Sequence, residues 1–294
     1  MRTAGTSTEW RPLVGAVAVW VPAMVAAAYE WGHGEYYDYG WFVPVAAAWL
    51  MIRRWQELTG PVTLPGRRVV GLALAVLVPW LLVLRVLGYA DPTWRLPVGL
   101  LGLTAAVTGH LLIGATRGWR VSLGFGWITL LWLSAVPWPT VVETRLVHGL
   151  TQGVVTAVVE VFQMVGMPVV AVGDRLQLRE LTVEVTDGCS GVRSFQSFVM
   201  ATWFFAELQR LRVPQALGLL GCACGVAMGV NIGRTYALAQ IRFSHGEAAF
   251  ERAHDWLGLV AFAVSGLVFY GISGRLGRQP WRRVVRKKAL SIKH

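Results

Sequence analysis

The chain has 294 residues, of which 55% are hydrophobic and 15% charged, with 15 Trp and a mean hydropathy of +0.51. This composition excludes a disordered segment, a nucleic-acid-binding module and an ordinary soluble domain, so the formal net charge of +11 is read against a membrane. Three Cys, an odd number, set up no disulfide framework.

Apolar runs predict an all-α integral membrane fold with about eight transmembrane helices, near residues 13–29, 40–52, 69–88, 96–115, 121–137, 192–208, 215–239 and 256–273. The second run is short, but its flank Glu35-Tyr36-Tyr37-Asp38-Tyr39-Gly40-Trp41 suits the headgroup layer. An even number of spans puts both ends on one side. Arg2, Arg11, Arg53, Arg54, Arg67, Arg68, Arg117, Arg120, Arg210, Arg212 and the Arg- and Lys-rich tail 275–294 all fall on that side, with Glu9, Glu57 and Glu207 as its acids. The positive-inside rule then makes the termini cytoplasmic and the opposite face acidic. The basic tail reads as an anchor at anionic lipid headgroups, and no nucleic acid is expected. Ala26-Ala27-Ala28 offers a signal-cleavage pattern, but removal there would leave seven spans and put the two basic ends out of agreement. The chain is expected to form a single multi-pass domain, 1–294, in the cytoplasmic membrane.

Residues 138–190 are the one sizeable non-spanning stretch, on the outer side by this topology. From Val141 to Val165, Val142, Leu146, Leu150, Val154, Ala157, Val161 and Met164 recur at steps of three and four, which predicts an amphipathic helix. Gly166 and Pro168 end it. Residues 169–185 then alternate around Gly173-Asp174 and predict a small β-hairpin, which delivers the chain to Asp187-Gly188-Cys189-Ser190-Gly191 just before the sixth span.

Cys189 falls where the first N–H groups and the positive dipole end of a helix stabilise a thiolate, and Gly188 and Gly191 allow a substrate carbonyl close approach. A Cys beside small residues also fits simple packing, and Ser190 fits a helix cap. In the seventh span Asn231 and Arg234 lie three residues apart on one face, at a depth where an ionisable group is functional by default. Arg234 either snorkels or holds a substrate carboxylate or oxyanion. His254 and Asp255 precede the eighth span. Asp255 alone fits an N-cap, and His254 fits either an interfacial histidine or the base for a thiol. His245 is its rival. Cys222 and Cys224 read as packing residues; no metal site and no cofactor is expected.

The three clusters Asp187-Gly188-Cys189-Ser190-Gly191, Asn231-Ile232-Gly233-Arg234 and His254-Asp255-Trp256-Leu257-Gly258 resemble, in order and spacing, the exosortase/archaeosortase family of multi-pass membrane cysteine transpeptidases. A weaker match at Tyr39-Gly40-Trp41-Phe42-Val43-Pro44 lacks the family's His. The resemblance implies Cys189 as nucleophile, His254 as acid/base and Arg234 as oxyanion or substrate-orienting group, with Asn231, Ser190, Gly191 and Asp255 around the substrate. The implied partners are exported proteins with a C-terminal sorting signal: a short motif such as Pro-Glu-Pro, a transmembrane helix and a basic cluster. The competing readings are a transporter in which Arg234 binds substrate, a lipid-linked glycosyltransferase using acids such as Asp187 and Glu184, and a silent relative that only binds signal helices. In the first two Cys189 is structural.

Overall fold

The structure, a computed structural model, describes residues 9–34, 36–58, 62–63, 67–91, 93–185 and 191–291. The chain divides into two compact units, Met1–Thr140 and Val141–His294.

The first unit is helical. Helices α1 (Arg11–Ala18) and α2 (Val21–His33) share one apolar run but separate near Trp20, because Pro22 has no N–H to continue the ladder. A single 3-10 turn, Asp38–Trp41, leads into α3 (Val43–Gln56). Helices α4 (Arg67–Ala90) and α5 (Arg95–Arg117) follow, then two short pieces, α6 (Trp119–Leu123) and α7 (Gly126–Ser134). Between α4 and α5, Asp91 Oδ1 accepts hydrogen bonds from the Thr93 hydroxyl (2.6 Å) and N–H (2.9 Å), which hold its carboxyl below the usual carboxylate range.

Trp20 stacks on Trp132 with centroids 5.2 Å apart, and the Trp31 indole N–H donates to the Ala135 carbonyl at 2.7 Å. Glu30, 6% exposed, receives two parallel hydrogen bonds of 3.1 Å from Arg95, whose guanidinium lies 5.7 Å from the Tyr37 ring centroid. The Tyr37 hydroxyl in turn accepts the Trp138 N–H at 2.9 Å. These contacts join the end of α2, the start of α5 and the segment after α7.

The second unit carries the non-spanning stretch. Helix α8 (Thr140–Met164) matches the predicted amphipathic helix to within a residue, but its buried face is Val147, Thr151, Val154, Val155, Val158 and Phe162. Val142 and Met164, on the predicted stripe, are exposed. The predicted hairpin is a three-stranded antiparallel sheet: β1 (Val170–Val172), β2 (Arg175–Leu178) and β3 (Leu181–Glu184). Gly173-Asp174 makes the expected turn with Gly173 at φ +65, and Arg179-Glu180 makes a second, with Arg179 at φ +55. Val169, Leu176, Val183 and Val185 of the sheet segment pack on α8 and on Ala239.

Three helices complete the unit: α9 (Val192–Leu208), α10 (Val213–His245) and α11 (Glu247–Ser291). Packing of α10 with both α9 and α11 dominates their contacts. Phe162 of α8 meets Tyr236 at 4.6 Å and Phe243 at 5.8 Å between centroids, so the sheet and α8 lie against the C-terminal part of α10.

Five stretches among the described residues are long and apolar enough to cross a membrane: Arg11–His33, Val70–Ala90, Arg95–Arg117, Val213–His245 and Glu247–Gly277. The other three expected spans are helical but short. Residues 40–52 become the 3-10 turn and the 14-residue α3, residues 121–137 are broken at Gly124-Phe125, and α9 has 17 residues. At 1.5 Å per residue, α3 spans about 21 Å and α9 about 25 Å, against a hydrocarbon core of about 30 Å. The eighth helix also differs from expectation: α11 starts at Glu247, not at Trp256, so His254 and Asp255 are helical and Asp255 is no N-cap.

Candidate active site

Cys189 and Ser190 lie outside the described residues, as do Asp187 and Gly188. The chain re-enters at Gly191, which caps α9 with φ +82 and ψ +6, a left-handed conformation natural to glycine. Gly191 lies tight against Asn231: a Cβ there would sit 3.0 Å from Asn231 Cγ and 3.1 Å from Nδ2. Gly191 is therefore held on the face of α10 that carries Asn231, itself 6% exposed. Gly191→Ala combines a left-handed alanine, ~1–2 kcal/mol, with displacement of Asn231. Thermal unfolding in detergent is expected to show a loss of at least that size.

One turn beyond Asn231, Arg234 points to the neighbouring helix of the α10–α11 pair. These two helices are joined at Gly246 (φ +79), where Arg242 and Glu247 form an ion pair across the junction. Arg234 and Gly258 are both twelve residues from Gly246, so an antiparallel pair brings them level. A Cβ on Gly258 would stand 3.4 Å from an Arg234 terminal nitrogen, ordinary van der Waals distance. The absence of a side chain at Gly258 gives the guanidinium its channel across α11.

Arg234 meets His254 there, with a terminal guanidinium nitrogen 3.3 Å from Nε2. An arginine only donates, so Nε2 contributes its lone pair and the ring proton belongs on Nδ1, which faces Asp255 Oδ1 at 3.3 Å; the hydrogen-bond network assigns this tautomer. The Asp255 side chain is otherwise exposed, and the His254 side chain is half-buried. Phe250, one turn earlier on α11, packs against the imidazole with centroids 5.9 Å apart.

His245, the rival base, ends α10 eleven residues beyond Arg234, about 16 Å along the axis. Of the two histidines, His254 is the one brought to the guanidinium. Asn231, Arg234, His254, Asp255 and Gly191 thus occupy one connected region of a single unit.

Two features here were not read from the sequence. Gly258 was visible only as part of a motif, and its role follows from being equidistant with Arg234 from the helix turn. Gln196, the fifth residue of α9, is 1% exposed, and among the described residues neither of its amide atoms has a hydrogen-bond partner. An unsatisfied buried amide costs about 1–3 kcal/mol, so Gln196→Met is expected to raise thermal stability by an amount in that range.

In this helical, apolar chain the Arg234 guanidinium and the His254 imidazole meet on the α10–α11 pair, one turn from the Asn231 that touches Gly191. A family model described as transmembrane exosortase matches residues 31–271. The chain belongs to the transmembrane exosortase family. None of the curated proteins and none of the solved structures matches it.

Proposed function

We propose that this protein is a cysteine transpeptidase of the membrane that cleaves a C-terminal sorting signal from exported proteins and passes the acyl group to an acceptor. Membership in the transmembrane exosortase family supports the reaction class. The observation that carries the residue assignment is the 3.3 Å contact of Arg234 with His254 on the helix pair whose Asn231 holds Gly191. The charge distribution of the sequence supports cytoplasmic termini and a site at the outer rim of the cytoplasmic membrane. The chain acts as one multi-pass membrane domain.

In this reading Cys189 gives its proton to His254 Nε2, which exchanges its contact with Arg234 for the thiol. The thiolate attacks the scissile carbonyl carbon, and the carbonyl electron pair moves to oxygen, where Arg234 stabilises it together with N–H groups at the start of α9. Collapse breaks the C–N bond. The leaving amine takes the proton from His254, and the acyl group stays on Cys189 as a thioester. An acceptor amine, or water, then attacks the thioester, losing its proton to His254 and returning the thiol.

A substrate anchored by its own transmembrane helix arrives at a fixed depth, so proximity substitutes for tight binding. The polar residues flanking the site suit this: Asn231 and Asp255 offer an amide and a carboxylate to the peptide backbone near the scissile bond, and Gly191 leaves it room.

The test is co-expression with a reporter carrying a sorting-signal tail. Cys189→Ala and His254→Ala are expected to abolish processing, and His245→Ala to leave it within about twofold. Processing that survives Cys189→Ala removes the mechanism and returns the transporter and glycosyltransferase readings. Impermeant thiol reagents on intact cells are expected to reach Cys189 and not Cys222 or Cys224.

A further inference from the structure

The three-stranded sheet has a free edge that the chemistry above does not use, and its register shows which groups lie along it. The Val185 N–H donates to the Asp174 carbonyl at 2.9 Å, which makes these two a hydrogen-bonded pair. Pairs in an antiparallel ladder alternate between bonded and non-bonded. Leu176 with Val183 and Leu178 with Leu181 are therefore bonded pairs, whereas Arg175 with Glu184 and Gln177 with Thr182 are not. The backbone N–H and C=O groups of Thr182 and Glu184 point away from β2. Both residues are exposed, and no group among the described residues bonds these edge atoms.

Free edges are normally blunted by Pro, Lys, a bulge or a covering element. The strand Leu181-Thr182-Val183-Glu184 has no Pro or Lys and pairs with β2 without a bulge. Its inner face is anchored: Val183 (7% exposed) and Val185 (2%) pack in one cluster with Leu176, residues of α8 and Ala239 of α10. The edge is thus a fixed template offering two N–H and two C=O groups from residues about 7 Å apart.

The chain links this edge to the candidate nucleophile. Glu184 precedes Cys189 by five residues, a reach of at most about 18 Å when extended. In the topology proposed above, β3 runs toward α9 from outside inward, just as a tail-signal substrate runs into its own membrane helix. A substrate strand beside β3 is then parallel to it.

We propose that the free edge of β3 holds the substrate: residues N-terminal to the scissile bond add to the sheet as a parallel fourth strand, bonded to the backbone of Thr182 and Glu184. The inference rests on the transpeptidase reading and adds to it how the peptide is held. Main-chain pairing makes little demand on side chains, and so short a strand binds weakly, which suffices for a peptide already tethered in the bilayer. The paired residues fall about three to eight positions before the scissile bond.

The experiment uses the full-length protein in membranes. Thr182→Pro deletes an N–H that the ladder does not use and sets a ring on the free edge, a position where edge strands accept proline. Ala171→Pro is the control. Arg175 and Gln177 bond β1 through Val172 and Val170, so the Ala171 N–H faces the opposite edge of the same sheet. Thr182→Pro is expected to lower kcat/KM for a tail-signal reporter about tenfold, through KM, the effect of one or two lost hydrogen bonds. Ala171→Pro is expected to stay within twofold of wild type, and thermal unfolding of the two purified variants to coincide.

A proline scan of the reporter over about eight residues before the junction, read with wild-type enzyme, does not depend on how any variant folds. At least fivefold losses are expected at two positions separated by one insensitive residue, because every second N–H of an added strand faces β3. A scan without this alternation overturns the inference, as do equal losses in the two proline variants or Thr182→Pro kinetics within twofold of wild type. In each case Cys189-dependent processing leaves the transpeptidase reading standing, whereas processing independent of Cys189 overturns both. A wild type that is dimeric in detergent and a Thr182→Pro variant that is monomeric with unchanged kinetics also overturn it, in favour of a second copy of the chain at this edge.

Discussion

Arg234→Ala is expected to lower processing of a tail-signal reporter by about 10²–10³-fold, the loss seen when one donor to a developing oxyanion is removed, ~2.7–4 kcal/mol. The guanidinium crosses to α11 over Gly258 and touches His254 at 3.3 Å, so its removal also releases the imidazole from the partner that orients it. Arg234→Lys keeps the charge but loses the planar fork, and a single ammonium cannot address both the imidazole and a carbonyl oxygen. Its activity is expected to fall between those of Ala and the wild type. Gly258→Ala is tolerated because the added methyl meets the guanidinium at ordinary contact distance, whereas Gly258→Leu pushes the guanidinium out of its channel and reproduces the Arg234→Ala defect. Single-turnover rates with saturating reporter check the series. An Arg234→Ala rate within threefold of wild type contradicts the assignment.

The largest stability effect is expected at Glu30. The Glu30 and Arg95 side chains are 8% and 15% exposed and meet through two parallel hydrogen bonds, so each neutralises a charge that is largely out of water. Glu30→Ala leaves the Arg95 cation among buried groups beside Tyr37, with an expected cost of ~3–5 kcal/mol. Glu30→Leu/Arg95→Met removes both buried charges with similar volume and is expected to recover most of that loss. Thermal unfolding of purified protein in detergent distinguishes the cases. A double variant as unstable as the single one means that the pair acts through geometry and not through mutual neutralisation.

The family and most of the helix positions were legible because they depend on short-range signals. Apolar run length located the five long stretches to within a few residues at most ends. At α11 the helix begins nine residues before the expected Trp256, since the polar segment Glu247-Ala248-Ala249-Phe250-Glu251 lowers hydropathy without breaking the helix. That difference matters for the site: His254 presents itself from a helical turn opposite Arg234 rather than from a loop.

The three shorter helices mark the limit of hydropathy. It measures composition along the chain, while Pro44 at the start of α3 and the Gly124-Phe125 break between α6 and α7 set how far each helix runs. In α8 the helix ends were readable but the buried face only in part: Val154 is buried as expected, whereas Val147, Val155 and Val158 each lie one residue beyond Leu146, Val154 and Ala157 of the predicted stripe and follow the same helical period. The third strand was missed for a comparable reason. Its turn uses Arg179 at φ +55, a conformation that Gly or Asn would have signalled and Arg does not.

At the candidate site, residue types and order suggested a trio, and the contact between Arg234 and His254 required the helix pair to be built. Equal spacing of Arg234 and Gly258 about Gly246 was present in the sequence, but it acquires meaning only once α10 and α11 are known to be antiparallel.

The most direct measurement of the central claim is capture of the covalent intermediate. Enzyme quenched in acid during turnover of a tail-signal reporter, digested and mapped by mass spectrometry, is predicted to carry the reporter's acyl fragment on Cys189 as a hydroxylamine-labile thioester that disappears in Cys189→Ala. An acyl fragment attached to Ser190 or any other residue, or turnover that continues when Cys189 is replaced, contradicts the account.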